Sequence, residues 1–121
     1  MAAYIIVAVI AYLIGSINFS VLISKKMAGF DVREKGSGNA GATNMLRSVG
    51  KKGAIFTLIG DCLKGVVAIL FAIIVGKIAK NTDKALLVQL AGIAVVLGHT
   101  FPIFFGFKGG KGVATSLGVL L

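Results

Sequence analysis

The sequence has few of the residues from which metal centres and acid–base sites are built. Its 121 residues include one cysteine, one histidine, four acidic residues and no tryptophan. One histidine and one cysteine cannot supply the four ligands of a structural zinc site, and a lone cysteine excludes a disulfide within the chain. We therefore predict no metal and no cofactor. Any enzymatic chemistry would depend on cations, backbone amides and the positioning of substrates.

Charge of either sign is also scarce, while apolar residues are abundant. Charged residues make up 14% and hydrophobic residues 57% of the chain, against about 25% and 45–50% in ordinary globular proteins. The net charge of +9 would suggest nucleic acid in a soluble protein. Here the basic residues lie between long apolar runs, so a lipid bilayer explains them better. We predict a membrane protein with no nucleic-acid partner.

The apolar runs predict several membrane spans. Residues 2–23 carry no charge, and as a helix they reach about 33 Å, enough to cross the hydrocarbon layer. Further runs predict spans at 53–76 and 85–101, the latter ended by Pro102, and a partial span at 112–121. The fold class is therefore an all-α polytopic transmembrane helix bundle. We expect a single membrane domain over 1–121 that forms an N-terminal portion of a longer chain.

The distribution of basic residues predicts the orientation. Seven lie in residues 25–52, three in 77–84 and two in 108–111. With three spans the first and third of these loops share a side, which the positive-inside rule places in the cytoplasm. The N-terminus is then outside.

Two glycine-rich stretches lie on this predicted cytoplasmic side, "GSGNAGATNMLR" (36–47) and "GFKGGKGVAT" (106–115). Glycine lets backbone amides turn toward an anion, and nearby cations would neutralise it. Two flexible loops that carry only positive-inside charge remain the alternative. The first stretch matches G-x-G-x-x-G, but no strand precedes it, which argues against a dinucleotide site. The second misses the phosphate-loop spacing of nucleotide-hydrolysing enzymes by one residue.

Three ionisable residues fall inside the apolar runs. Asp61 and Lys64 are three apart and share a helix face, which favours an internal ion pair that holds helices together over direct substrate contact. His99 lies near a predicted helix end and is either a general base or phosphate donor, or a hydrogen-bonded helix-end residue. Asn18 in the first run is predicted to form an interhelical hydrogen bond.

Several stretches together resemble one known family. "GSGNAGATNMLR" and "GHTFPIFFGFKGGKGVATS" are similar to the first two signature motifs of the bacterial acyl-phosphate–glycerol-3-phosphate acyltransferases of the PlsY type. "AYLIGSINFS" and "GDCLKG" resemble the family's first two spans. The resemblance implies a seven-helix enzyme of the bacterial inner membrane. It transfers a fatty acyl group from acyl phosphate to the 1-hydroxyl of glycerol 3-phosphate and releases lysophosphatidic acid and phosphate. The family's third motif is expected beyond Leu121.

The resemblance also implies site residues. The implied catalytic residues are Ser37, Arg47, His99 and Lys111. The implied substrate- or phosphate-binding residues are Gly38, Asn39, Gly41, Asn44, Lys108, Gly109, Gly110 and Gly112. Either the donor phosphate or His99 would accept the hydroxyl proton. The alternative function is a membrane transporter or channel subunit for a phosphorylated or other anion, since glycine-broken segments near cations suit that class too.

Overall fold

The structure, a computed structural model, describes residues 1–79, 81–103, 106, 109–110 and 113–120. Within these ranges the regular elements are all helical, which confirms the predicted all-α class. A single-turn 3₁₀ helix spans Val32–Glu34. The α-helices are α1 (Ala2–Ser16), α2 (Phe19–Ala28), α3 (Ala42–Ser48), α4 (Lys51–Ile78), α5 (Lys84–Thr100) and α6 (Val113–Leu120).

The first apolar run is two helices, not the single helix predicted over residues 2–23. The backbone is extended at Ile17 and Asn18. The Asn18 side-chain oxygen accepts hydrogen bonds from the Val21 amide at 3.2 Å and from the Ser20 hydroxyl at 2.6 Å. Asn18 therefore caps the start of α2, as asparagine commonly does. Its amide nitrogen is buried and has no hydrogen-bond partner among the described residues, so the predicted interhelical bond is not formed there.

Two segments of the described chain are long and apolar enough to cross a membrane, Ala2–Ala28 and α4. The 28 residues of α4 extend about 42 Å, longer than the roughly 30 Å hydrocarbon layer. α5 has 17 residues and is a shorter apolar helix. It ends at Thr100, where Pro102 predicts the end of a helix.

α1 and α5 lie parallel and in direct backbone contact. At one end the Asp83 amide donates to the Tyr4 hydroxyl oxygen at 2.8 Å. At the other, the Tyr12 hydroxyl donates to the Phe101 carbonyl at 2.5 Å. In between, a Cβ atom built on Gly98 would overlap the Tyr12 carbonyl oxygen. The C-terminal ends of α1 and α5 therefore meet at the same end of the bundle.

Because backbone atoms surround Gly98, we expect Gly98→Ala to destabilise the protein by about 1–3 kcal/mol, the usual cost of overpacking. The added methyl group would meet Tyr12 and Ser16 backbone atoms, which cannot move without separating the two helices. Thermal unfolding in detergent micelles measures the effect. Gly76→Ala is the matched control, since only side-chain atoms of Lys84 and Leu87 lie near its added methyl group. Equal stability of the two variants would contradict the close α1–α5 packing.

Candidate active site

The first glycine loop, residues 35–41, is organised by the buried side chain of Asn44, which is 1% exposed. Its amide nitrogen donates to the carbonyl oxygens of Val32 at 2.9 Å, Lys35 at 3.0 Å and Asn39 at 3.0 Å. Its oxygen accepts from the Ser37 amide at 3.2 Å. These bonds tie the loop to the first turn of α3. All the hydrogen bonds of this side chain are with residues between Val32 and Ser48, so Asn44 holds the loop in shape, and its predicted contact with substrate remains a prediction.

The glycines of this loop meet a specific backbone requirement. Gly36 and Gly38 have φ values of 54° and 75°, in the left-handed region that glycine adopts without strain. A Cβ atom on Gly36 would also overlap the Asn44 side-chain oxygen. The G-x-G pattern therefore reflects the path of the loop around Asn44.

Of the two arginines near the loop, Arg33 forms an ion pair, whereas Arg47 has no partner among the described residues. The Arg33 guanidinium contacts the Asp31 carboxylate at 2.6 Å, and hydrogen bonds from Arg33 hold the pKa of Asp31 below its usual range. Arg47, in the last turn of α3, is exposed and forms no hydrogen bond or ion pair with another residue in the described part of the chain. Ser37 is exposed as well. Arg47 and Ser37 are thus available to a ligand.

The second glycine segment folds back onto the end of α5. The Gly109 amide donates to the Thr100 carbonyl at 2.9 Å, and the Gly110 amide to the His99 carbonyl at 3.3 Å. A Cβ atom on Gly110 would overlap the Ala40 carbonyl oxygen and approach His99 Nε2 to 2.5 Å. The two glycine segments therefore meet at Ala40 and Gly110. The predicted site residues Lys108, Lys111 and Gly112 lie outside the described residues.

A buried polar cluster lies beside this junction and consists of Asp61, Lys64 and His99. Lys64 Nζ is 3.2 Å from Asp61 Oδ1, which confirms the predicted ion pair, and 2.7 Å from His99 Nδ1. Lys64 also donates to the carbonyl oxygens of Gly15 at 3.1 Å and Ile17 at 3.0 Å. It therefore satisfies carbonyl groups freed where α1 ends. The contact between Lys64 and His99 had no signal in the sequence, because the two residues lie on different helices.

We expect Asn44→Asp to loosen the first glycine loop. The substitution keeps the shape of the side chain but replaces a donor group by an oxygen that faces three carbonyl oxygens. Hydrogen–deuterium exchange over residues 32–41 should become at least about tenfold faster, since an unsatisfied buried polar group costs roughly 1–3 kcal/mol. Asn81→Asp is the control, because Asn81 is left-handed with φ 63° and aspartate tolerates that conformation. Unchanged exchange in Asn44→Asp would contradict the scaffold role.

The described residues form a helical bundle with two segments long and apolar enough to cross a membrane and a polar site at one end. A family model described as glycerol-3-phosphate acyltransferase matches residues 5–121. The chain belongs to the glycerol-3-phosphate acyltransferase family.

Individual relatives agree with this assignment. The chain is 50% identical over 119 residues to a glycerol-3-phosphate acyltransferase of Clostridioides difficile strain 630, covering 98% of this chain and 58% of that protein. It is 55% identical over 116 residues to the enzyme of that name from Paraburkholderia phytofirmans, covering 96% of this chain and 53% of that protein. The chain thus spans about half the length of the curated relatives it matches.

Two solved structures share the fold. One is the glycerol 3-phosphate form of PlsY, an integral membrane glycerol 3-phosphate acyltransferase, with a TM-score of 0.82 and 47% identity over 97% of this chain and 56% of that one. The lysophosphatidic acid form of PlsY gives a TM-score of 0.79 and 44% identity over 97% of this chain and 55% of that one.

Proposed function

We propose that this chain forms part of an enzyme that transfers a fatty acyl group from acyl phosphate to the 1-hydroxyl of glycerol 3-phosphate. The products are lysophosphatidic acid and phosphate, as in phospholipid synthesis. The observation that carries the proposal is the meeting of the two glycine segments at Ala40 and Gly110, since Ala40 belongs to the first glycine loop, which is exposed at residues 35–37. The names of the family and of its solved relatives support glycerol 3-phosphate as the acceptor.

The chemistry requires two phosphate groups to be held at one end of the bundle. Exposed Ser37 supplies a hydroxyl on the first motif, and Arg47, which has no partner among the described residues, supplies a cation. On the second motif, we assign the predicted phosphate-binding roles to Lys108–Gly112. Glycine-rich backbone can direct amide groups at an anion while the cations offset its charge. The remaining predicted residues, Gly38, Asn39 and Gly41, would shape or line the same loop.

In the reaction the acceptor hydroxyl oxygen attacks the acyl carbonyl carbon, the bond from that carbon to the donor phosphate oxygen breaks, and phosphate leaves. Acyl phosphate already carries a good leaving group, so the enzyme mainly orients the hydroxyl and stabilises charge on the carbonyl oxygen and the departing phosphate. We assign the hydroxyl proton to the donor phosphate, which then departs as hydrogen phosphate. The excess of basic residues around the first loop supports a site facing the cytoplasm of a bacterial inner membrane, with the N-terminus outside.

A transporter or channel for an anion is the second candidate. The break between α1 and α2, inside an apolar run and beside a buried polar cluster, favours it, because discontinuous helices form many transporter binding sites.

One experiment separates the two functions. The complete gene product is purified, reconstituted in phospholipid vesicles, and given palmitoyl phosphate with glycerol 3-phosphate. We expect release of phosphate and equimolar formation of lysophosphatidic acid, with palmitoyl-coenzyme A inactive as the donor. Turnover with coenzyme A thioester but not with acyl phosphate would overturn the proposed donor. Uptake of phosphate without any acyl transfer would favour transport.

A further inference from the structure

The surroundings of Lys64 determine which atoms accept hydrogen bonds from its ammonium group. The carbonyl oxygens of Gly15 and Ile17, at 3.1 and 3.0 Å from Nζ, can only accept hydrogen bonds. His99 Nδ1 lies nearer, at 2.7 Å. Asp61 Oδ1 at 3.2 Å favours the charged ammonium form. Asp61 Oδ1 compensates the charge but has no hydrogen-bond partner among the described residues, so the three hydrogens go to the Gly15 and Ile17 carbonyls and to His99 Nδ1.

This arrangement selects one form of the His99 ring. A nitrogen that accepts a hydrogen bond carries a lone pair, so the proton of the neutral imidazole is on Nε2. Asp61 and Lys64 already balance each other's charge. A protonated His99 would add an uncompensated positive charge next to Lys64 in a site where all three side chains are buried. The ring is therefore held neutral, with Nε2–H as its donor.

Nε2 faces the junction between the two glycine segments. A Cβ atom on Gly110 would lie 2.5 Å from Nε2 and would overlap the Ala40 carbonyl oxygen. Nε2 has no hydrogen-bond partner among the residues that the structure describes. A donor with no partner at this position is suited to a ligand oxygen held by the same two segments.

We propose that Lys64 and Asp61 are positioning residues that hold His99 as a neutral Nε2–H donor, and that His99 donates this hydrogen bond to an anionic oxygen of a phosphoryl group at the Ala40–Gly110 junction. In this form the nitrogen that faces the Ala40–Gly110 junction carries a proton and has no lone pair to accept another. His99 therefore does not accept the hydroxyl proton. The choice of tautomer stands on the geometry of the cluster alone. The ligand assignment rests on the proposed function.

The tautomer is directly measurable because His99 is the only histidine in the chain. The protein labelled with ¹⁵N-histidine in lipid nanodiscs should give, at neutral pH, one protonated ring nitrogen, Nε2, and one unprotonated nitrogen, Nδ1. Lys64→Met removes the donor, and Asp61 Oδ1, 3.8 Å from Nδ1, then becomes its nearest charged acceptor. We expect the proton to move toward Nδ1 in that variant. Lys77→Met, an exposed lysine at the far end of α4, is the matched control and should leave the spectrum unchanged.

Three outcomes would overturn the tautomer half of the proposal. They are an Nδ1-protonated ring in the wild type, a doubly protonated ring at neutral pH, or a spectrum that Lys64→Met leaves unchanged. The wild-type spectrum alone identifies the tautomer, so the proposal is tested even if a variant fails to fold. These outcomes are independent of acyl transfer, so they are distinguishable from a failure of the proposed function.

The ligand half is tested with glycerol 3-phosphate and inorganic phosphate as probes. Saturating either ligand should shift the Nε2–H resonance in the wild type. His99→Gln keeps a donor NH and should retain turnover within about tenfold, whereas His99→Leu should lose roughly 10- to 100-fold, the range for a hydrogen bond to a charged group. Equal losses in both variants, or no ligand-induced shift, would contradict the donor role.

Discussion

Arg47→Ala should lower the rate of lysophosphatidic acid formation by about 100- to 1,000-fold, the effect of removing one donor aimed at developing negative charge. Arg47 is the exposed cation of the first motif and has no partner in the described part of the chain. Its charge is therefore available to substrate phosphate. The measurement is phosphate release by the reconstituted protein at saturating palmitoyl phosphate and glycerol 3-phosphate.

Two further variants show whether the effect of Arg47→Ala depends on the shape of the side chain and on its position. Arg47→Lys keeps the charge but loses the planar fork that binds phosphate through two parallel hydrogen bonds, so we expect an intermediate rate. Lys77→Ala removes an exposed cation at the opposite end of the bundle and should leave the rate and membrane insertion unaffected. An Arg47→Ala rate near that of the wild type, with normal insertion, would remove Arg47 from the site.

Asp61→Asn should have the largest effect on stability, a loss of about 3–5 kcal/mol in the free energy of unfolding. The substitution leaves Lys64 buried beside α1 without its carboxylate, and an uncompensated buried charge is more costly than no charge at all. The measurement is denaturant unfolding in mixed micelles, followed by circular dichroism.

The double variant Asp61→Leu/Lys64→Met should be more stable than Asp61→Asn, because it removes both charges together. It will not reach the wild type, since the carbonyl oxygens of Gly15 and Ile17 lose their donor. Asp83→Asn is the matched control: the same chemical change at an exposed helix cap, where the amide oxygen can still accept from the Leu86 amide. Should Asp61→Asn unfold at the same denaturant concentration as Asp83→Asn, the cluster would not stabilise the fold.

Local patterns predicted several features correctly because their causes are local. Pro102 ends α5 because proline restricts the residue before it. Asp61 and Lys64 pair because positions three apart share a helix face. Hydropathy predicted the helical class, and the motifs predicted the family that the comparisons show.

The break after α1 was missed for a physical reason. Residues on both sides of Asn18 are apolar, so a hydropathy run passes through it. Whether an asparagine caps a new helix or hydrogen-bonds across helices depends on the backbone at that residue. That backbone is stabilised by Lys64, which is distant in sequence and donates to the Gly15 and Ile17 carbonyls.

The sequence by itself determined the class of protein, the family, and the residue types of the two glycine segments, because composition, periodicity and motif spacing are properties of the chain. Apart from the Asp61–Lys64 pair, only the tertiary structure decided what the polar side chains contact. It turned Asn44 inward to hold the first loop and set Gly110 against Ala40. It also placed Lys64 against His99. A hydrogen bond requires two atoms within about 3 Å, and residues 35 positions apart come that close only when the helices pack.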